Sequence, residues 1–524
     1  MAVIGKNILE NLTTGMYSDS KIIYREYIQN ACDQIDAAVA SGILSPGEGS
    51  VEILIESKNR HITIMDNATG VSKEIFKAQL GDIANSDKQI GKDKGFRGIG
   101  RLSGLAYCTK LVFTTSYSGE ATRSVMTWDA KLMRKLLADN QKHTVDEVLE
   151  QIVDFSEAEE DPGKHYFHVE LIGINAENTD LLNRDEVLPY LSFVAPVPYK
   201  NTFLLRNDVY QYAHTIGFHI DEYDIRINGE QVLKEYGGVL YEPSGQSKKS
   251  YDEVKELEFK NFYARDGSLL GWLWFGLSTF DKQIPAINLM RGIRLRQGNI
   301  QIGDSATLRE LFKETRGIFY FIGEVFAAHK DLIPNSQRNY FNENEMRVEF
   351  ENALRDYFYS VLHKLYTDAN ERKNDYKRQT KYINMAEDYE EKVKNNDFID
   401  EEDRQRKKFE LEKAQQDAEK AIRKLERIQE TEDEDSPLTT VRKNIAEAHK
   451  SEKLDEKVQR TQKKMETIES RKDIDGDPPY MTANLPKLTK SEQRLVSRIY
   501  SIIKEIATEE FAEALIRRIQ EELK

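Results

Sequence analysis

The sequence is poor in cysteine and has no long apolar run. Its two cysteines, Cys32 and Cys108, stand among apolar neighbours, which is typical of buried thiols in a reducing cytoplasm rather than of a disulfide or metal site. The nine histidines show no pairing at metal-ligand spacing. No apolar stretch approaches the roughly 18 residues of a membrane-spanning helix, and residues 1–20 lack the basic start and apolar core of a secretory signal. We therefore expect a cytoplasmic protein without a membrane segment.

Positive charge is also in deficit, because 75 Lys and Arg residues stand against 90 Asp and Glu, for a net charge of −15. Proteins whose general function is to bind nucleic acid are more often basic, so the net charge does not support a nucleic-acid-binding function. Local basic stretches leave that function open. A composition of 31% charged and 39% hydrophobic residues is normal for a protein with real cores. The 524 residues are enough for about three domains.

The most informative segment is residues 24–33, YREYIQNACD. Glu26, Asn30 and Asp33 stand at i, i+4 and i+7, so a helix places them on one face among apolar neighbours. Such groups are costly to bury without a partner. Two interpretations stay open for this face: it is a solvated polar stripe on a surface helix, or it is part of a site that binds a magnesium ion and an activated water.

Two further patterns follow at short distance. Residues 61–66 alternate like a strand that ends at Asp66, and Gly70 follows. A carboxylate at a strand end can accept a hydrogen bond from an exocyclic amine, and a glycine lets the backbone approach a flat ring. Residues 95–106 form a glycine-rich loop, with Gly95, Gly98 and Gly100, that leads into an apolar, helix-like stretch. Such a loop can bind phosphate through backbone N–H groups, or it can be a simple hinge.

At these residues the chain resembles the Bergerat-fold ATPases, the GHKL superfamily of gyrase, heat-shock chaperone, histidine kinase and MutL. Glu26-x-x-x-Asn30, Asp66-x-x-x-Gly70 and Gly95-x-x-Gly98-x-Gly100 are similar to its three motifs in order and spacing. Residues 25–33 and the lid-like residues 80–86 resemble most closely the ATPases of the HtpG chaperone type. The implied fold class is α+β: a Bergerat-fold α/β sandwich ATPase domain, an α/β, transducer-like middle domain, and a helical or coiled-coil C-terminal region.

The resemblance implies roles for the helix face. Glu26 would be the general base that orients and deprotonates the attacking water. Asn30 would bind the magnesium ion that bridges the phosphates of ATP, because a hard cation prefers oxygen ligands. Asp33 would belong to the nucleotide site, with two roles open: hydrogen bonding within the helix, or holding Asn30 in place.

The resemblance also implies how the nucleotide is held. Asp66 would read the adenine amino group, and Gly70 would give the base room. The glycines would let N–H groups of the lid and the following helix surround the β- and γ-phosphates; these are Gly95, Gly98 and Gly100. Positioning and charge stabilisation are most of what phosphoryl transfer needs.

Two departures from the chaperone pattern stand out. The chaperones usually carry a Lys one turn beyond the helix Asp, where this chain has Ala37 nearby. Their strand after the lid usually begins Gly-Thr, whereas here Gly163, Lys164 and His165 precede the strand-like residues 166–172. The resemblance therefore does not supply the contact that supports the adenine-binding carboxylate.

We predict four segments. Residues 1–198 are the ATP-binding domain and 199–366 the middle domain, in which residues 287–296 alternate apolar with basic residues as an edge or half-exposed strand would. Residues 331–339 resemble the chaperone middle-domain loop whose Arg reaches the γ-phosphate, and they favour Arg338 in that catalytic role. Lys330 and Arg296 are the alternatives.

The remaining two segments are helical in pattern. Residues 367–472 predict a charged helical hairpin or coiled coil, with Ser436 and Pro437 starting a new helix. Residues 473–524 predict a linker and amphipathic helices. Self-association is the preferred interpretation of these helices, while gripping a partner or folding back stays open.

Together these expectations describe a magnesium-dependent, chaperone-like ATPase that uses ATP-driven closure of a homodimer to remodel or hold a protein client or effector. The alternative is an ATP-gated nucleic-acid clamp or defence-system ATPase similar to MORC and MutL proteins. A signalling kinase lacks a convincing phospho-acceptor His segment, and an inactive binding module disagrees with the presence of base, metal ligand and glycines. The client lies beyond the sequence.

Overall fold

The structure is a computed structural model that describes residues 5–12, 19–81, 100–141, 143–395, 398, 401–429, 436–472, 482, 485 and 487–523. Its contacts divide the chain into two units. The first comprises Met1–Ser278 and Lys282–His363, and the second comprises Thr279–Asp281 and Lys364–Lys524. The mixed fold class and the long helical C-terminal region are confirmed. The segment boundaries at residues 198, 366 and 472 stay predictions.

An eight-stranded sheet forms the base of the first unit, in the order β5-β4-β3-β6-β2-β1-β7-β8. Neighbouring strands are antiparallel except β1 and β7, which run parallel. Burial alternates residue by residue along β1 and β2, as expected for strands with one face on a core. The strands are β1 (Ser50–Glu56), β2 (His61–Asp66), β3 (Lys110–Ser116), β4 (Thr122–Asp129), β5 (Val153–Glu159), β6 (Tyr166–Ile172), β7 (Asp224–Ile227) and β8 (Glu230–Gln231).

Helices cover this sheet, and the second of them carries the predicted acidic and amide face. Most of that helix is buried, because its apolar side chains join the core formed by the sheet. A short 3-10 helix, Gly100–Ala106, packs against it. The α-helices are α1 (Asn7–Leu12), α2 (Ile22–Ala40), α3 (Lys73–Gly81), α4 (Ala130–Ala138), α5 (Val145–Ile152), α6 (Arg184–Val194) and α7 (Arg206–Thr215).

A second sheet of five strands completes the first unit, in the order β11-β12-β15-β13-β14, beside a hairpin of β9 and β10. The helix α8 (Glu345–Tyr357) packs on β11 and β12. The strands are β9 (Val239–Ser244), β10 (Ser247–Glu253), β11 (Glu256–Tyr263), β12 (Leu269–Leu277), β13 (Gly292–Gln297), β14 (Ile300–Ile302) and β15 (Ile322–Ala327).

The prediction of an edge or half-exposed strand over residues 287–296 is wrong. The strand β13 begins only at Gly292, lies between β15 and β14, and is buried over nearly its whole length. Its basic side chains do not face solvent, because they have buried partners: Arg294 Nη1 donates to Gln301 Oε1 at 3.0 Å, and Arg296 pairs with Glu324. Both faces of β13 are buried here, and the alternating basic residues lie on the polar face.

The second unit is mostly helical over its described residues. One cluster of its core joins buried residues of three different helices, among them Tyr382, Ala418 and Val458. Ser436 caps α11, since its Oγ accepts from the N–H of Leu438 and Pro437 takes the first helical position, so the predicted helix start is confirmed. None of the described helices is both long and apolar enough to cross a membrane. The helices are α9 (His363–Asn395), α10 (Glu401–Gln429), α11 (Pro437–His449), α12 (Ser451–Lys472), α13 (Lys490–Ile506) and α14 (Glu509–Leu523).

Candidate functional site

The polar face of α2 is the first part of the site. Glu26 and Asp33 are buried and Asn30 is half-buried, although all three are polar. Glu26 Oε1 accepts no hydrogen bond from any of the described residues. Two arginines form ion pairs with this oxygen, so what it lacks is a hydrogen-bond donor, which a water or a ligand group can supply. This face therefore suits a water-activating role better than a solvated surface stripe.

The end of the glycine-rich loop packs directly against this carboxylate. A Cβ added at Gly100 would lie 2.2 Å from Glu26 Oε2, so a side chain at this position would displace the carboxylate. Tyr27 fastens the 3-10 helix that follows, because its hydroxyl donates to Arg101 O at 2.9 Å and accepts from Gly104 N at 3.1 Å. Gly95 and Gly98, the other two predicted phosphate-binding glycines, lie outside the described residues.

Asp66 ends β2 in a fully buried position. Burial raises the pKa of its carboxyl to about 7, although the N–H of Ala68, which donates to Oδ1 at 3.1 Å, lowers it in part. A buried carboxyl of this kind ionises readily only when a second donor reaches it. The exocyclic amine of adenine is such a donor, and it is the partner that the sequence predicts for Asp66.

Gly70 is held where a side chain has no room. Its φ of 67° lies in the left-handed region, and an added Cβ would lie 1.9 Å from Ser116 O in β3. The next residue is pinned to the same strand, because Val71 N donates to Thr115 Oγ1 at 2.9 Å. The segment between Asp66 and Val71 is thus pressed against the sheet, and the glycine is required for that approach.

Arg338 reaches the α2 face from the loop that follows β15. Its Nε lies 3.4 Å from Glu26 Oε1, and both side chains are buried. The loop is also tied to α2 by Arg25, whose Nη2 donates to Gln337 O at 3.0 Å. Arg338 has a φ of 53°, an uncommon left-handed backbone for a residue with a side chain. Strain of that kind persists where the surroundings enforce it, often at functional sites.

The two alternatives to Arg338 are placed differently. Arg296 is fully buried and its guanidinium is taken up by other groups: Nη1 donates to Asn299 O, Nη2 donates to Phe193 O, and Nε contacts Glu324. Lys330 is exposed. Of the three basic residues considered, Arg338 is the one with an ion pair to Glu26.

Sequence reasoning missed two neighbours of Glu26 on the same helix. Arg25 contacts the carboxylate and the Arg338 loop, and its place next to Glu26 was the available signal. Gln29, one turn further, is buried without a hydrogen bond to the described residues. It lines a cavity of about 370 Å³ together with Asp36, His329 and Arg338. The spacing of three residues between Glu26 and Gln29 could have indicated that both lie on the same face of α2.

The residues present fit a nucleotide with magnesium. Across the described residues there is no group of three His, Cys, Asp or Glu side chains able to hold a metal by themselves. Magnesium does not need one, since it is usually held by one or two protein oxygens together with phosphates and waters. Asn30 on α2, next to the buried Glu26, can supply such an oxygen.

Comparison with known proteins relates the N-terminal part of the chain to one family. Residues 19–160 match the family described as histidine kinase-, DNA gyrase B-, and HSP90-like ATPase. This range contains the α2 face, Asp66, Gly70 and the glycine-rich loop. The N-terminal part of the chain is therefore related to the GHKL ATPases, as the motifs predicted.

Within that class, the similarity extends to HtpG chaperones. The HtpG of Chromobacterium violaceum is 30% identical over 134 residues, which are 22% of this chain and 21% of that protein. The HtpG of Bordetella pertussis is 30% identical over 143 residues, 24% of this chain and 22% of the relative. The HtpG of Rickettsia typhi is 29% identical over 160 residues, 27% and 25% of the two chains. The matches thus span about a fifth to a quarter of these relatives, and the predicted relation to HtpG is confirmed for that part.

Proposed function

We propose that the protein is a magnesium-dependent ATPase of the GHKL type that uses ATP hydrolysis to change its conformation. The contact between Arg338 and Glu26 carries this proposal. It joins a basic group from the loop after β15 to the carboxylate expected to act on water. A cation beside the water-activating group is an arrangement that hydrolysis of a phosphate anhydride uses.

The proposed hydrolysis of ATP uses three side chains of this protein. A water held by Glu26 attacks the γ-phosphorus, its proton passes to the carboxylate, and the bond from the γ-phosphorus to the bridging oxygen breaks to leave ADP. The guanidinium of Arg338 neutralises negative charge on the γ-phosphate oxygens. Asn30 would hold part of the coordination of a bound magnesium ion, which would supply further charge neutralisation on the phosphates.

The same contact supports a resting state without hydrolysis. While Arg338 pairs with Glu26, the guanidinium stands where water would be activated. Arrival of the γ-phosphate offers Arg338 a partner with more negative charge. Transfer of the guanidinium to that phosphate then frees Glu26 to accept a proton from water.

A chaperone-like cycle with a second copy of the chain is the proposed use of hydrolysis. On α13, exposed apolar side chains recur with spacings of four, three and four residues, as in a helix–helix seam. Two more follow on α14. The helix α13 has four basic and two acidic side chains, whereas α14 has five acidic and two basic, so α13 of one copy suits α14 of another. The exposed side chains are Leu495, Ile499, Ile502, Ile506, Phe511 and Leu515.

One observation favours the second candidate, an ATP-gated clamp on nucleic acid. A groove of about 480 Å³ within the second unit is lined by Lys377, Lys381 and Lys407, with Tyr389 and His449 beside them. Lysines next to aromatic rings suit phosphates and bases. Stimulation of ATP hydrolysis by duplex DNA, weakening steeply with salt, would favour the clamp, whereas stimulation by unfolded protein favours the chaperone-like cycle.

The test of the proposed function compares Glu26→Ala with the wild-type protein. We expect Glu26→Ala to bind ATP in the presence of magnesium by calorimetry and to release no phosphate. Glu177→Ala, which removes an exposed carboxylate of the same unit, is the matched control and should hydrolyse ATP normally. Normal hydrolysis by the Glu26 variant would refute the base assignment, and absence of nucleotide uptake by the wild-type protein would refute the function.

A further inference from the structure

We infer that His165 is a positioning residue for the adenine-binding carboxylate, and that it sets both the affinity for adenine nucleotides and the preference for adenine over guanine. This inference rests on the proposed function, because it concerns the base-binding end of the same site. His165 precedes β6, far along the chain from Asp66, and the sheet brings the two together through the pairing of β2 with β6.

The geometry links the two residues through one peptide segment. His165 Nδ1 lies 2.7 Å from Ala68 O, and Ala68 N lies 3.1 Å from Asp66 Oδ1. A carbonyl oxygen can only accept, so Nδ1 carries the proton and donates. The imidazole thus fixes the carbonyl side of Ala68, and the N–H side of the same residue holds one oxygen of the carboxylate.

The residues on either side of Ala68 are fixed by other contacts. Asn67 is bound through both ends of its amide, since Oδ1 accepts from Ser50 N at 2.8 Å and Nδ2 donates to Glu48 O at 2.9 Å. Val71 is bound to Thr115. His165 therefore fixes Ala68, the residue whose N–H holds the carboxylate of Asp66, while Asn67 and Val71 stay anchored without His165.

The consequence for the ligand follows from the two carboxylate oxygens. With Oδ1 held by the N–H of Ala68, the other oxygen is oriented to accept from a base. Adenine presents an amine donor there, whereas guanine presents a carbonyl oxygen, which an ionised carboxylate repels. A carboxylate that turns freely would lose affinity for adenine and also part of this discrimination.

This assignment also accounts for a departure of the sequence from the chaperones. Where their strand usually begins Gly-Thr, this chain has Gly163, Lys164 and His165. Here an imidazole supports the adenine carboxylate indirectly, through the peptide group of Ala68.

The test exploits the atom that donates. Asparagine places an amide nitrogen where Nδ1 of histidine stands, whereas glutamine places it one bond further out. We expect His165→Gln and His165→Ala to weaken ADP binding by about tenfold, the loss typical of one hydrogen bond, and His165→Asn to stay within threefold of wild type. The ratio of GDP to ADP dissociation constants should fall in the Gln and Ala variants. Turnover at saturating ATP should change less than twofold in all three.

Two further measurements keep the outcome decisive. Nitrogen NMR of the imidazole in the full chain should show the neutral ring protonated at Nδ1, which needs no variant and no nucleotide. His214→Gln, an exposed histidine on α7, is the matched control and should leave ADP affinity unchanged. Equal ADP affinity in the Gln, Asn and wild-type proteins, or a neutral imidazole protonated at Nε2 alone, would overturn the role of His165 while leaving the ATPase intact. Absence of ADP binding to wild type would instead overturn both proposals.

Discussion

The guanidinium Nε of Arg338 lies 3.4 Å from Glu26 Oε1, and Arg25 Nε lies 3.9 Å from the same oxygen. Two cations from different parts of the first unit thus face one buried carboxylate. Both cations compensate the negative charge of the carboxylate, and the pair with Glu26 occupies the guanidinium of Arg338. Arg338 can therefore act on the transferring phosphate only by leaving Glu26.

This relationship predicts the effect of Arg338→Ala. We expect hydrolysis to slow by at least about a hundredfold, since groups of this kind commonly contribute more than that, while the affinity for ATP changes little. Phosphate release and calorimetry with the same protein measure the two quantities. Arg338→Lys should recover only part of the rate, because an ammonium lacks the planar fork. Unchanged turnover in Arg338→Ala would remove this residue from the site.

The raised pKa of Asp66 predicts that nucleotide binding is coupled to the release of a proton. Its pKa of about 7 without ligand means that the carboxyl is largely protonated at pH 6, whereas an amine donor requires the ionised form. Binding of ADP at pH 6 should therefore release a proton, and affinity should rise with pH up to about 7 and then level. Calorimetry in two buffers of different ionisation enthalpy measures the released proton.

The same group has the opposite effect on the folded domain without nucleotide. Its folded pKa lies above the ordinary value of 3.8, so its stabilising contribution is fully present below that value and is lost as pH rises through about 7. Asp66→Asn should remove this dependence and lose adenine binding. Binding of ADP to Asp66→Asn with wild-type affinity would contradict the assignment.

The sequence predicted the face of α2 and the end of β2 because both depend on local periods. Helical spacing aligns Glu26 with Asn30, and strand alternation carries Asp66 to a strand end. The approach of Arg338 came from the resemblance alone, because nothing local joins that loop to α2. The link from His165 to Ala68 depends on how β2 and β6 pair, which no short pattern encodes. The alternation in β13 wrongly predicted an exposed face, because Arg294 and Arg296 have buried polar partners instead of solvent.

Two glycines should respond differently to alanine. Gly70→Ala meets the backbone oxygen of Ser116 and an unsuitable φ, so we expect a loss of stability of about 1–3 kcal/mol or more. Gly100→Ala instead meets the end of the Glu26 side chain, which can move. That variant should keep its stability and lose turnover. Chemical denaturation and phosphate release separate the two, and a Gly100→Ala protein with normal turnover would contradict the contact.

The exposed seam on α13 predicts self-association. Leu495→Glu combined with Ile502→Glu should shift the protein from dimer to monomer, because two charges would be buried in the interface. Sedimentation at several concentrations measures the mass. The double variant should still bind ADP, since these residues lie in the second unit. Glu substitutions at two polar positions of the same helix, the exposed Ser491 and the half-buried Ser501, are the control. A wild-type monomer would exclude this interface.

Glu324 predicts how the first unit responds to acid. Although burial alone would raise the pKa of this carboxyl, the charges of Arg296 and Lys234 lower it to about 2. Its folded pKa is thus below its ordinary 4.5, so the stabilisation is present above that value and is lost as pH falls towards 2. Glu324→Gln should cost about 3–5 kcal/mol at pH 7, because it leaves the buried guanidinium of Arg296 without its counter-ion.

Urea denaturation of wild type and Glu324→Gln between pH 7 and pH 3 tests this. The difference between the two proteins should be largest at pH 7 and shrink as the wild-type carboxyl becomes protonated. Glu314→Gln, which breaks an exposed pair with Arg316, is the matched control and should leave the midpoint unchanged. A difference that stays constant with pH would show that Glu324 stabilises the second sheet by packing rather than by its charge.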